Sequence, residues 1–278
     1  MSIFEFSGVI WLGALIAGLI GSLTGLGGGV VIVPLLALGL GVDIRYAVGA
    51  SLVSVIATSS GAAVAYVREG FSNIRVGMLL EIATTAGATL GALLAAHVSS
   101  SIVAIVFGFV LLSAVVPTGR GRTQPDSDDR PDSLATRLRL DSTYPSTDGL
   151  RPYHVHRVPL GFAIMGLAGM LSGLLGNGSG AMKVLAMDQA MRLPFKVSTT
   201  TSNFMIGVTA AASAGIYLNR GYVDPGLAMP TMLGVLLGSL IGTRILTGAK
   251  TRALRILFSL VILALGVEMI YNGWTGRI

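Results

Sequence analysis

The sequence Gly25-Leu26-Gly27-Gly28-Gly29 recurs in altered form as Gly176-Asn177-Gly178-Ser179-Gly180, 151 residues later, and each cluster lies inside a long apolar stretch. Glycine inside a membrane helix frees backbone groups that lipid cannot satisfy, so such a break persists only where it lines a cavity walled by protein. A break that recurs at corresponding places in two halves of a chain indicates the substrate site of a transporter. The two clusters therefore predict a duplicated membrane transporter.

The composition of the chain excludes a soluble domain. Of the 278 residues 53% are apolar and only 12% are charged, and the mean hydropathy is +0.78. Apolar runs close to the ~20 residues that cross a bilayer predict an all-α polytopic membrane protein with six plain spans and two broken elements. The plain spans are about 46–67, 76–97, 101–117, 197–218, 226–243 and 254–272, and the broken elements are about 7–41 and 159–191.

Further matches extend the repeat beyond the glycine clusters. They are Tyr66–Gly70 with Tyr217–Gly221 at an offset of 151, Val48–Ser51 with Val197–Thr200 at 149, and Gly87 and Gly91 with Gly234 and Gly238 at 147. Small drifts of this kind are expected where loops differ in length. We interpret residues 1–117 and 158–278 as two homologous membrane repeats.

Residues 118–157 separate the repeats and differ from them in composition. They contain seven Arg and six Asp, together with several Pro and Ser. Such a segment is typical of a solvated, mobile linker.

The distribution of Lys and Arg favours one orientation, because these residues in short loops favour the cytoplasm. If each broken element crosses once, the linker side receives eleven Lys and Arg against seven on the other side. If each broken element enters and returns on one side, the division is fifteen against three, namely Arg45, Arg220 and Arg277. The second topology makes the halves inverted, as in many secondary transporters. We therefore expect re-entrant broken elements, a cytoplasmic linker and both termini outside.

The first cluster and the residues that follow it carry a family resemblance. Gly25-Leu26-Gly27-Gly28-Gly29-Val30-Val31-Ile32-Val33-Pro34 and then Ala47-Val48-Gly49-Ala50-Ser51-Leu52 resemble the signature of the TauE/SafE family, also called the sulfite exporter or TSUP family. Gly176–Val184 and Val197–Asn203 resemble the weaker second copy. Asn177, Ser179 and Leu185 depart from the family pattern, in which an apolar residue, a glycine and a proline are common.

The resemblance implies a secondary transporter in the bacterial inner membrane. Its implied substrate is sulfite, sulfoacetate or a related organosulfonate, and export is the implied direction. An anion channel, an uptake carrier for another small anion and a structural membrane subunit stay open as alternatives. The coupling ion, H+ or Na+, and the oligomeric state are not readable from the sequence.

The chemistry of the breaks independently favours an anion. A helix that begins inside the membrane presents unpaired N–H groups and the positive end of its dipole. We expect the two clusters to face each other across a small cavity near the midplane, with hydroxyl and amide donors around them and Ser51 and Thr200 as the matched pair. The candidate substrate-binding residues are Thr24, Gly25, Gly27, Gly28, Gly29, Ser51, Ser54, Gly176, Asn177, Gly178, Ser179, Gly180, Lys183, Thr200 and Asn203.

Lys183 is the most informative side chain, because it follows Gly180 by three residues in an apolar segment. A lysine within the membrane costs about 2.5–3.5 kcal/mol on insertion scales. We expect its ammonium to neutralise the anion or to gate the site, and the alternative is that it extends to the cytoplasmic interface. Glu81 is expected near the interface, where its carboxylate is solvated or paired, and the alternative is a proton relay.

Enzyme and nucleic-acid functions are not predicted. Asn177-Gly178-Ser179-Gly180 differs from the Gly-x-Ser-Gly of a serine hydrolase, and Gly25–Val30 lacks the last glycine of a dinucleotide fingerprint. His97, His154 and His156 have no metal-ligand spacing, and the chain has no cysteine. We expect no cofactor or metal. The formal charge of +6 is explained by cytoplasmic loops, and the first residues lack the basic segment of a signal peptide.

Overall fold

The fold is helical, and 79% of the described chain is in helices. The computed structural model describes residues 3–24, 28–68, 71–115, 132–146, 149–176, 178–246 and 251–277. The prediction of an all-α protein is confirmed at this level.

The first half begins with helix α1, which is followed after the first glycine cluster by the short helix α2. A π-helical turn, Leu35–Gly39, continues α2 without interruption. The helices of this half are α1 (Ile3–Thr24), α2 (Gly29–Pro34), α3 (Ile44–Arg68), α4 (Ile74–Leu94) and α5 (Ser100–Val115).

The second half repeats this order after a small folded segment. That segment contains α6 (Ser133–Arg137) and the antiparallel strands β1 (Ser142–Ser146) and β2 (Gly149–Tyr153). The helices that follow are α7 (Val158–Leu175), α8 (Gly180–Leu185), α9 (Phe195–Asn219), α10 (Pro225–Leu246) and α11 (Thr251–Thr275), with a second π-helical turn at Ala186–Ala190 after α8. Each of the six predicted plain spans coincides with one long helix.

Corresponding elements of the two halves keep a single offset. Helices α2 and α8 begin at Gly29 and Gly180, and α4 and α10 begin at Ile74 and Pro225, so both pairs are 151 residues apart. The predicted drifts to 149 and 147 are wrong, because the loops of the two halves have equal lengths. The glycines of α4 at 87 and 91 and those of α10 at 234, 238 and 242 are each four residues apart, so a shift of one turn also pairs them.

The helices of one half pack mainly against the helices of the other. A β-carbon added at Gly87 in α4 would lie 2.1 Å from the carbonyl oxygen of Gly166 in α7. The equivalent crossing recurs at α10 and α1, where a β-carbon at Gly238 would lie 2.0 Å from the Leu15 oxygen. The same contact therefore forms twice with the halves exchanged, and each of the two buried apolar clusters contains residues of both halves.

The outer surface of this bundle is apolar. The large side chains more than half exposed include Leu12, Ile16, Met78, Ile82, Leu90, Phe109, Leu167, Leu218, Leu260 and Trp274. Within the described residues, Ile74–Leu94 and Val158–Leu175 are long and apolar enough to cross a membrane, and apolar stretches of 10–17 residues lie in α1, α2 with its π-helical turn, α3, α5 and α10. An apolar exterior of this extent fits lipid better than water.

The described part of the linker is folded and packs onto the helices. Leu140, Tyr153 and Val155 are buried in one apolar cluster with residues of α4, α7 and α9. The Asn73 amide nitrogen donates to the Leu140 carbonyl at 2.9 Å and to the Tyr153 hydroxyl at 2.8 Å. Sequence reasoning did not predict this hairpin, because its polar composition resembles that of a disordered segment; residues 116–131 lie outside the described part.

Candidate functional site

The second glycine cluster breaks its helix through left-handed backbone. Gly176, Gly178 and Ser179 have φ of 68°, 71° and 47°, a region that favours glycine and strains serine. Helix α8 then begins at Gly180, and Ser179 gives it no side-chain cap. In the first half α2 begins at Gly29 after Gly28, again without a side-chain cap. Both helices therefore begin with N–H groups that no capping side chain satisfies.

Ser51 of α3 joins the two breaks. Its hydroxyl donates to the Gly176 carbonyl at 2.8 Å and lies 3.4 Å from the Gly29 carbonyl. A β-carbon at Gly29 would lie 2.8 Å from Ser51 Oγ and 3.3 Å from the Gly176 oxygen. Glycine at position 29 therefore permits this close approach, and the described parts of the two breaks lie in contact.

Val55, one turn further along α3, lies against both breaks. Its methyl groups would be 2.7 Å from a β-carbon at Gly29 and 3.3 Å from one at Gly178. Ile206 of α9 lies against Gly178 in the same way, at 2.8 Å. Apolar side chains of the two central helices therefore pack directly onto the glycines.

Lys183 is fully buried and forms a chain of polar contacts with Thr209 and Glu81. Its ammonium donates to Thr209 Oγ1 at 2.5 Å, and the Thr209 hydroxyl donates to Glu81 Oε1 at 2.7 Å. Glu81 is only 9% exposed, and Thr85 donates to the same Oε1 at 3.1 Å. The alternative that Lys183 extends to the interface is contradicted, and Glu81 lies in the core instead of in a solvated position.

The comparisons with known proteins identify the family of the chain. The sequence model of the sulfite exporter TauE/SafE family matches residues 10–269. The chain belongs to the TauE/SafE family. Because this is a family of transporters, the protein is a membrane transporter and not an enzyme.

Three TauE/SafE relatives show how far the likeness extends. "Probable membrane transporter protein YunE" of Bacillus subtilis (strain 168) is 28% identical over 267 residues, 93% of this chain and 95% of the relative. "Probable membrane transporter protein ORF9" of Sinorhizobium sp is 23% identical, over 96% of this chain and 93% of the relative. "Probable membrane transporter protein MJ0441" of Methanocaldococcus jannaschii is 24% identical, over 92% of each chain. No solved structure matches the chain.

The structure pairs Ser51 with Ser202, and not with Thr200 as the sequence analysis expected. Ser202 Oγ donates to the Gly180 carbonyl at 3.2 Å, just as Ser51 Oγ approaches the Gly29 carbonyl, and both bonds span 22 residues. The Thr200 hydroxyl instead bonds to carbonyls of its own helix, those of Lys196 and Val197. The wrong match followed from the assumed drift of two residues in the offset.

The other candidate residues of this TauE/SafE chain are divided among several environments. The Ser54 hydroxyl is bonded within its own helix, to the Ala50 carbonyl at 2.9 Å. Asn203 is half-buried beside Ser202. Gly25, Gly27, Asn177 and the Thr24 side chain lie outside the described part.

Sequence reasoning missed Thr209 and misplaced Glu81. A charged side chain inside a membrane protein usually pairs with another such group. Lys183 and Glu81 lie in the interiors of predicted membrane segments of opposite halves, so this rule could have paired them. Thr209 carries no comparable signal, because hydroxyl residues are frequent along the whole of α9.

Proposed function

We propose that this TauE/SafE transporter is a secondary carrier that exports a small sulfur-containing anion such as sulfite or an organosulfonate. The anion binds where the two glycine breaks meet. The main support for this proposal is the burial of Lys183, a fully buried cation three residues after the start of α8. A buried ammonium is stable only beside negative charge; Glu81 provides it through Thr209 when no substrate is bound, and an anion at the break takes its place during transport.

Three further features support an anion site at the breaks. The first turns of α2 and α8 have no side-chain caps, and helix N-termini favour negative charge. Ser51 and Ser202 lie against the two breaks, and each hydroxyl, which here donates to a backbone carbonyl, can turn to an anion bound there. The description of the matching family names sulfite export, which favours a sulfur oxoanion over other small anions.

Contacts at the helix ends support inverted halves. Arg45, at the start of α3, donates to the Val98 carbonyl, and Arg220, just after α9, donates to the Ala92 carbonyl. The start of α3 and the end of its counterpart α9 therefore both lie near the end of α4. Similarly, a β-carbon at Gly273, near the end of α11, would lie 2.8 Å from the carbonyl of Ser101, near the start of α5. Alternating access then consists of rocking between these halves.

A backbone contact supports a re-entrant broken element. The His156 N–H, just before α7, donates to the Met191 carbonyl, just after the second π-helical turn, at 3.1 Å. The chain thus enters α7 and leaves α8 at one end of the bundle. We propose a multi-pass protein of the bacterial inner membrane, with repeats 1–117 and 158–278 and the linker 118–157 on the cytoplasmic side.

The test is exchange of labelled sulfite in proteoliposomes loaded with unlabelled sulfite, with sulfate and sulfoacetate as competitors. The proposal predicts saturable exchange above that of empty liposomes, reduced by the sulfonate more than by sulfate. Flux that does not saturate would identify a channel. The absence of any flux would contradict a sulfite carrier.

A further inference from the structure

The Lys183–Thr209–Glu81 chain connects the two halves of the molecule. Lys183 belongs to α8 and Thr209 to α9, both in the second half, whereas Glu81 belongs to α4 in the first half. The Thr209 hydroxyl accepts a hydrogen bond from the Lys183 ammonium and donates one to the Glu81 carboxylate. The two charged groups are therefore connected through this hydroxyl.

The two carboxylate oxygens of Glu81 have different hydrogen-bond environments. Its Oε1 accepts from Thr209 and Thr85, whereas its Oε2 is buried and has no hydrogen-bond partner within the described residues. A buried carboxylate oxygen without a donor is costly while the group is ionised. The Lys183 charge offsets this cost across the hydroxyl bridge.

Other charges lie at the ends of the helices that pack on Glu81. Helix α7 has no titratable side chain. Along α9, Lys196 lies over the Phe71 ring at 5.5 Å, and Arg220 is bonded to the Ala92 carbonyl at 2.8 Å. Arg75, at the start of α4, donates to the Arg139 carbonyl. Lys183 is therefore the cation that balances Glu81 in the described core.

We infer that Glu81 carries the coupling proton. It binds this proton when the transported anion replaces it as the charge partner of Lys183. The inference rests on the proposed function and adds its coupling ion. Without substrate, Lys183 and the ionised Glu81 are together neutral. When a singly charged anion pairs with the ammonium, Glu81 loses its counter-charge and accepts one proton from a hydronium ion of the solvent, which becomes water as the O–H bond forms at Oε2. The loaded site is again neutral, so one proton travels with each such anion, and export is then driven by an outward gradient of the anion itself.

The first test is an infrared measurement of the carbonyl stretch of a protonated carboxylic acid at neutral pH. We expect the band to be absent in the wild type, to appear in Lys183→Met, and to be missing in the Lys183→Met/Glu81→Gln double variant. The same band should appear when the wild type is saturated with methanesulfonate. A Lys183→Met spectrum identical to that of the double variant would overturn the inference.

The second test separates exchange from coupling in proteoliposomes, with labelled methanesulfonate as the probe. This anion stays singly charged near neutral pH, so its own ionisation does not contribute to the result. For the wild type we expect exchange and also accumulation driven by a pH gradient. Glu81→Gln should reduce the driven accumulation far more than exchange, whereas Glu81→Asp should retain both in part.

The outcomes distinguish the two proposals. Driven accumulation that persists in Glu81→Gln would overturn the coupling role and leave the carrier intact. A wild type that exchanges neither methanesulfonate nor sulfite would overturn the proposed function and the coupling with it.

Discussion

Ser51 shows how a single hydroxyl holds the two breaks together. Its bond to the Gly176 carbonyl crosses 125 residues of sequence, at 2.8 Å and with the serine fully buried. The repeat predicted a polar residue here, and the structure adds its partner. Sequence alone does not reveal the partner, because a carbonyl acceptor belongs to every residue.

The Ser51→Ala variant should destabilise the protein and slow exchange. It removes the donor to the buried Gly176 carbonyl, and an unsatisfied buried group costs about 1–3 kcal/mol. Ser54→Ala is the matched control, because the Ser54 hydroxyl bonds only to the Ala50 carbonyl of its own helix in the described contacts. Thermal unfolding in detergent checks the difference, and equal melting temperatures for the two variants would contradict the bridging role.

At the scale of elements, both halves continue their short helices into π-helical turns at equivalent positions. Leu35–Gly39 follows Pro34, and a proline lacks the N–H of a regular helix. Ala186–Ala190 follows Leu185 and has the same form without a proline. The packing of the fold therefore sustains the turn in the second half, which explains why the sequence did not predict it.

Close crossings of glycine-bearing helices connect the halves, and they can be tested one at a time. A β-carbon at Gly173 in α7 would lie 2.0 Å from the Ala88 carbonyl, whereas one at Gly215 in α9 would meet nothing within 4 Å. Gly173→Ala should therefore destabilise by about 1–3 kcal/mol through overpacking. Gly215→Ala should be neutral or stabilise by up to about 1 kcal/mol through helix propensity.

Thermal unfolding of these two alanine variants in the same detergent is the measurement. A Gly173→Ala melting temperature equal to that of the wild type would contradict the tight crossing of α4 and α7.

At the scale of the whole molecule, the sequence predicted the number and order of the long helices but not how they associate. The apolar runs locate each helix because a bilayer requires about 20 apolar residues per span. The contacts of α1 with α10 and of α4 with α7 depend on pairing between halves, for which a single sequence has no direct signal. The fold of the linker was missed for a related reason: its core is completed by side chains of α4, α7 and α9.

The proposed topology can be mapped with single cysteines, because the natural chain has none. Thr143 is exposed on β1 in the linker, and Ser99 is exposed between α4 and α5. In intact cells a membrane-impermeant maleimide should label Ser99→Cys and should label Thr143→Cys only after permeabilisation. Labelling of both positions from one side would contradict the crossing of the membrane by α5 and with it the proposed orientation.

The most direct test of the central claim is the concentration dependence of labelled sulfite exchange for the wild type, Lys183→Met and Lys183→Arg. If Lys183 binds the anion, removing its charge forfeits a charge-assisted bond of about 1.5–3 kcal/mol and raises the half-saturation concentration about 10- to 100-fold. Lys183→Arg keeps the charge and should lie between the other two. A Lys183→Met curve that superimposes on that of the wild type would contradict the account.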